Sequence, residues 1–158
     1  MATAMQSPIV KELTLTRIFN APRKVVFKAW TDRDQFAEWW GPKYFTNPVC
    51  EIDVRVGGQI KVDMTQNNGQ VYPMGGEFRE IDEPNRLVFT TTTGFDATGK
   101  PMLENLNTIT FEDMDGKTKL TLHVKVLHAT PEMDGALSGM EMGWSQTLDK
   151  LADLLAKH

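Results

Sequence analysis

After Thr130-Pro131 the apolar positions of this chain change their period. Met133, Leu137, Met140, Trp144, Leu148, Leu151 and Leu155 fall three or four residues apart, the step of a single helical face. The opposite face carries Asp134, Glu141, Gln146, Asp149 and Asp153. The pattern predicts one helix over about 131–157, roughly 40 Å long at 1.5 Å per residue. No other segment predicts an element of that length, so whatever precedes it must be built to receive it.

What precedes it reads mostly as strands. Residues 9–20 alternate apolar and polar side chains, the period of a half-buried strand. Ala21-Pro22 then opens a short helix, because proline loses nothing at a first helical turn. Asp32 can cap a second one, with Phe36, Trp39 and Trp40 on one face and Gly41-Pro42 as its stop. A meander follows. Strands are expected over 48–55, around Ile60–Met64, over 71–81, over 87–93, and as a last hairpin over 103–113 and 117–128. The punctuation is Gly57-Gly58, Asn68-Gly69, Asp82–Asn85, a loop from Gly94 to Pro101, and Asp115-Gly116. A meander contains no crossover helices, so its sheet is antiparallel. Its one apolar face needs a cover, and the C-terminal helix is the only element large enough. The expected architecture is α+β: an antiparallel, curved sheet of six or seven strands wrapped around a long C-terminal helix, with two short helices after the first strand. The 158 residues suit one domain of this kind, with residues 1–8 as a flexible N-terminus.

Charge narrows the partners. A net charge of −4, with basic residues scattered singly or in pairs, speaks against nucleic acid. No run approaches the roughly 18 apolar residues of a membrane span, and Met1–Gln6 lacks the basic and apolar regions of a signal peptide. The single Cys50 excludes an internal disulfide and suits a reducing cytoplasm, where it reads as a buried, inert thiol. His123 and His128 lie five apart in one strand, on opposite faces, which argues against a shared metal site. No nucleophile elbow, phosphate-cradling glycine loop or zinc-protease motif occurs. No catalytic residue, metal site or cofactor is therefore assigned.

The features that could hold a ligand lie between helix and sheet. Gly135, Gly139 and Gly143 recur every four residues, each costing about 1 kcal/mol against alanine in a helix interior. They leave a close approach to the sheet, a curved helix, or room beneath it. Met133, Met140 and Met142 flank the stripe, and methionine suits irregular or adaptable space. From Leu148 onward the helix reads as ordinary core. Strand parity places Ile60, Val62 and Met64 on one face, with Leu120, Leu122, Val124 and Val126. Asn105 and Asn107 share parity with Ile109 and Phe111, so they point into the interior unless the strand ends at a solvated edge. Arg17 shares parity with Leu13, Leu15 and Phe19 and is expected to pair with Glu77 or Glu51. Trp39-Trp40 with Tyr44 and Phe45 either gates a cavity or plugs the core. The candidate lining is thus Trp40 and Phe45 from the loop, then Ile60, Val62, Met64, Phe78, Phe89, Asn105, Asn107, Ile109, Phe111 and Leu122 from the sheet. Met133, Leu137, Met140 and Trp144 complete it from the helix.

Five segments together resemble a known family. Asn20–Thr31 resembles the first-helix signature of the homologues of the activator of the 90-kDa heat-shock protein ATPase, within the START-like superfamily. Trp39–Pro42 with Asp53–Gly58, Gly76–Ile81, Arg86–Thr90 and Gly143–Ala152 are similar to its later signatures, and the resemblance spans about residues 10–156. It implies the helix-grip fold, also seen in the Bet v allergen group, with a cavity between sheet and helix. Superfamily relatives bind lipids, sterols or other apolar molecules, and the polyketide cyclases and aromatases do chemistry there. The namesake activates a chaperone but carries a further N-terminal domain, for which 158 residues leave no room. Three readings follow. The first is a binding protein for a small hydrophobic or amphipathic molecule. The second is a cyclase-like enzyme with Arg17, Asn105 or Asn107 orienting the substrate. The third is a stress-related module that contacts a chaperone or forms a homodimer through a sheet edge or the Trp39–Phe45 region.

Overall fold

The computed structural model describes residues 11–157. The N-terminal segment expected to be flexible lies outside these residues. Strand β1 (Glu12–Phe19) is followed by helices α1 (Arg23–Thr31) and α2 (Arg33–Trp39). Six strands come next: β2 (Phe45–Ile52), β3 (Gln59–Gln66), β4 (Val71–Asp82), β5 (Arg86–Phe95), β6 (Pro101–Met114) and β7 (Lys117–Ala129). A 3-10 turn over Pro131–Met133 leads into α3 (Asp134–Ser138) and α4 (Met140–Ala156).

All seven strands form one curved antiparallel sheet in the order β1-β7-β6-β5-β4-β3-β2. Each neighbour from β2 to β7 is a hairpin partner, and β1 closes against β7 from Glu12↔Lys125 to Phe19↔Thr118. The hairpins form where the turn residues accept a left-handed backbone: Gly69 has φ 91°, and Asp115 and Gly116 have φ 54° and 86°. Pro22 sits at the start of α1, and the Asp32 carboxylate accepts from the Asp34 N–H at 3.3 Å to cap α2.

Several boundaries differ from the sequence reading, and the strand expected to run to 55 ends at Ile52. Strand β2 begins at Phe45, not 48, because Asn47-Pro48 sits in a bulge of an edge strand, where a missing N–H is tolerated. Strands β5 and β6 extend to Phe95 and back to Pro101, which reduces the expected loop to residues 96–100. The long helix is not one element. It is interrupted at Gly139, whose φ of −95° and ψ of 4° leave the α-helical range. The Gly139 N–H reaches both Gly135 O and Leu137 O.

The core has two parts. Beneath α1 and α2 it is aromatic: Phe27 meets Phe111 at 5.0 Å, and Trp30 meets Trp39 edge-on at 4.6 Å. The Trp39 Nε1–H donates to Ala29 O at 2.9 Å, so this deep indole is satisfied. Beneath the second half of α4, Leu148, Leu151, Leu154 and Leu155 are buried, each contributing about 1.5–3 kcal/mol of burial. Arg17 holds this half to the sheet's edge. Its guanidinium donates to Asp149 Oδ1 at 2.8 Å and to Ser145 O at 3.1 Å. The expected partners, Glu77 and Glu51, are not used; Glu77 pairs with Arg79 instead. A carboxylate arriving from α4 is nearer to β1 than strands on the other side of the sheet.

Candidate functional site

Beneath the junction of α3 and α4 the sheet and helix do not meet. They leave a pocket of about 220 Å³, partly open to solvent. Its floor is Met64 of β3, Met74 of β4, Thr91 and Thr93 of β5, and Asn105 of β6. The roof is Ala136, Gly139, Met140, Gly143, Trp144 and Thr147. Trp40, Gly41 and Pro42 close one end. The gap arises because short side chains face each other: threonines on the sheet lie under glycines on the helix.

The closing loop is firmly held. Lys150 Nζ shares its protons among four carbonyl oxygens, those of Phe45 at 3.0 Å, Gly41 at 3.2 Å, and Trp40 and Pro42 at 3.4 Å. Burial pushes the Lys150 ammonium below the ordinary lysine range. The Lys43 N–H donates to Gln146 Oε1 at 3.2 Å, and Asn47 Nδ2 to Trp40 O at 2.8 Å. Gly41 suits its place because its φ is 93°, and a Cβ there would stand a tight 3.3 Å from both Met64 Cε and Phe45 Cβ. Tyr44, in the same loop, also adopts a positive φ of 74° and is exposed, with the Lys43 ammonium 5.1 Å from its ring.

The pocket walls are mostly apolar, and no ionisable side chain lines them. Trp40 and Trp144 stand edge to face at 5.2 Å and 83°, and Trp144 stacks on Trp30 at 6.5 Å. Two wall residues carry polar atoms without partners. Asn105 is 9% exposed and Trp40 5%, yet Asn105 Oδ1 and Trp40 Nε1 make no hydrogen bond. Two of the other polar walls are hydrogen-bonded within the protein. Thr147 Oγ1 donates to Gly143 O at 2.8 Å, and Thr91 Oγ1 accepts from Asn107 Nδ2 at 3.2 Å.

Of the sixteen residues that the sequence suggests, the structure brings Trp40, Met64, Asn105, Met140 and Trp144 to this pocket. Ile60, Phe78 and Phe89 pack with Trp30, Phe36 and Ile52 around a void that holds no water-sized space. Val62, Ile109, Phe111 and Leu122 are core. Asn107 is fully buried and donates to Phe89 O and Thr91 Oγ1. Phe45 opens β2 and packs on Tyr72 at 5.7 Å. Met133 lies over Gly94, and Leu137 borders a separate surface cleft near Lys11. Met142, expected beside the glycine stripe, is 68% exposed.

Sequence reasoning missed Pro42, Met74, Thr91, Thr93, Ala136 and Thr147 as walls. Register would have found three of them, because Val62 pairs with Met74, Met74 with Thr93, and Thr91 with Asn105. Two surface clefts have more room, about 440 and 480 Å³, but their walls are largely charged or exposed residues. Among the described residues, no three His, Cys, Asp or Glu side chains converge as a metal site needs, and no helix is long and apolar enough to cross a membrane.

The fold recurs in other proteins. A protein from Arthrobacter aurescens superposes with a TM-score of 0.80 at 24% identity, covering 94% of this chain and 88% of its own. The AHSA1 protein of Silicibacter pomeroyi gives 0.77 at 27%, covering 93% and 99%. A protein from Chromobacterium violaceum gives 0.75 at 27%, covering 92% and 96%. No curated protein matches the chain. The family model described as Activator of Hsp90 ATPase homolog 1-like protein matches residues 20–156, from just before α1 to the end of α4. With that span matched and the helix-grip architecture in place, the chain belongs to the Activator of Hsp90 ATPase homolog 1-like family of the START-like fold.

Proposed function

We propose that this protein binds a small apolar or amphipathic molecule in the pocket between the sheet and the α3–α4 junction. The observation that carries the reading is the pocket itself: about 220 Å³ between sheet and helix, with mostly apolar walls and no ionisable side chain. Concave, mostly apolar sites with a few polar groups are where small molecules bind. The uncharged wall supports holding rather than transforming, since it offers no acid–base pair. The cytoplasm is the compartment that suits a lone buried thiol.

Native mass spectrometry and organic extraction of freshly purified protein test this. The expected result is a co-purifying small molecule, or uptake of one when apolar compounds are offered. A dry pocket filled by rearranged Met64, Met74 and Met140 side chains, with no uptake, would end the proposal.

A further inference from the structure

Helix α3 borders two cavities. Its Ala136 and the following Gly139 roof the pocket, while Asp134 and Leu137 line a surface cleft of about 440 Å³ against the end of β7. Between its charged residues this cleft is apolar, with Val126, Leu127, Ala129, Pro131 and Leu137 in its wall. Leu127 is 46% exposed, a large apolar side chain that no described residue covers. We infer that strand β1 continues back past Lys11, and that the Ile9 side chain seats in this cleft and braces α3 over the pocket. This holds whether or not the pocket takes a ligand.

Register carries β1 to the cleft. It pairs with β7 from Phe19↔Thr118 to Glu12↔Lys125, and the Val126 N–H still donates to Lys11 O at 2.8 Å. Strand β7 runs on to Ala129, so among the described residues its last positions have no partner from β1. Lys11 accepts that last bond and also lines the cleft, so the chain enters β1 from the cleft itself. The alternation that marks this strand in the sequence begins at residue 9, ahead of Glu12.

Parity selects the side chain. A strand repeats its face every two residues. Leu13 and Leu15 pack against the core, Lys11 shares their face, and Ile9 is next on it. Two residues of strand advance about 7 Å, enough to carry Ile9 from the level of Val126 to that of His128. Val10 falls on the opposite face. Pro8, which has no N–H to donate, is tolerated because β1 is an edge strand. A side chain tethered two residues from the wall also outcompetes a free partner, since a short link keeps its effective concentration high.

The brace matters because α3 is only five residues long and Leu137 is its one buried residue. A helix that short does not hold itself in water. Ile9 packed on Leu137 therefore helps to fix Ala136 and Gly139 over the pocket.

Methyl-labelled full-length protein, studied by nuclear Overhauser spectroscopy, tests the seat. The Ile9 methyls should show contacts to the methyls of Val126, Leu127 and Leu137, and the Val10 methyls none to Leu137. Hydrogen exchange tests the brace. The Gly139 amide, bonded to Gly135 O, should exchange about tenfold faster in Ile9→Asp and at the parent rate in Val10→Asp. Absence of contacts from Ile9 to these methyls overturns the proposal, and this measurement on the unmodified chain decides even if a variant fails to fold. Contacts found only between labelled and unlabelled chains of a mixed sample overturn it too, since the cleft would then hold the segment of a second copy. Contacts within one chain, with Gly139 exchange unchanged in a folded Ile9→Asp, overturn the bracing of α3.

Discussion

At Gly143 the stability of α4 and the room in the pocket are opposed. The residue lies inside α4, where glycine costs about 1 kcal/mol relative to alanine. A Cβ placed there meets only Pro42 Cγ, at 3.7 Å, which is ordinary van der Waals contact. Gly143→Ala should therefore recover most of that cost. For a domain of this length the melting temperature should rise by about 2–4 °C. The added methyl stands between Gly143 and Pro42, both of which line the pocket, so binding of a small apolar probe should weaken. Gly135→Ala is the control. Its Cβ meets nothing within 4 Å, and the residue is not part of the wall. It should stabilise less, because it sits in the first turn of the short α3, and it should leave binding unchanged. Thermal melts by circular dichroism, with equilibrium dialysis of 2-naphthol, read both effects. The reasoning is refuted if Gly143→Ala melts below the parent, which would mean that the glycine serves close packing. It is equally refuted if the variant binds the probe as the parent does.

Asn107→Ala removes two buried donor contacts, to Phe89 O and Thr91 Oγ1, and should cost about 2–3 kcal/mol, read as a lower urea midpoint at an unchanged slope. Lys150→Met frees the carbonyls of Trp40–Phe45, so that loop should be cut faster in limited proteolysis while the sheet stays resistant. The same residue has a pH signature. Its folded pKa lies below the ordinary 10.5, so between the two values the unfolded chain binds the extra proton and stability from this group rises with pH. That rise, seen in urea midpoints taken at increasing alkaline pH, should vanish in Lys150→Met. Burial also pushes the Cys50 thiol up, so a disulfide reagent should modify it slowly in the native protein and rapidly in urea.

The sheet was legible because its turns carry residues that few other structures demand. Asn68-Gly69 and Asp115-Gly116 pin two hairpins, and alternation between them fixes which side chains turn inward. The interruption of the last helix was not legible, because a period of three and four passes through Gly139 undisturbed. Met133, Leu137 and Met140 keep the same spacing whether or not one residue between them leaves the α range. Arg17 shows a second limit. Parity turned it toward the interior side of β1, but its partner is 132 residues away on α4, and no local pattern announces a contact of that separation.

The pocket shows why a binding site is harder to read than a fold. Asn105 and Asn107 stand two residues apart on one strand, with the same parity and the same side chain. The sequence gives no reason to treat them differently. Their cross-strand neighbours do. Asn107 pairs with Phe89 and Val124, deep in the sheet, where a carbonyl and a threonine hydroxyl satisfy its amide nitrogen. Asn105 pairs with the shorter Thr91, and Gly139 and Gly143 belong to the roof on the opposite side. Space opens only where the small residues of β5 and those of the α3–α4 junction coincide. Each set alone reads as ordinary, threonines in a strand and glycines in a weak helix. They are separated by more than forty residues, and the register of β5 on β6 together with the break at Gly139 superimposes them. A substitution that shifts either one, with every wall residue unchanged, should therefore close the pocket.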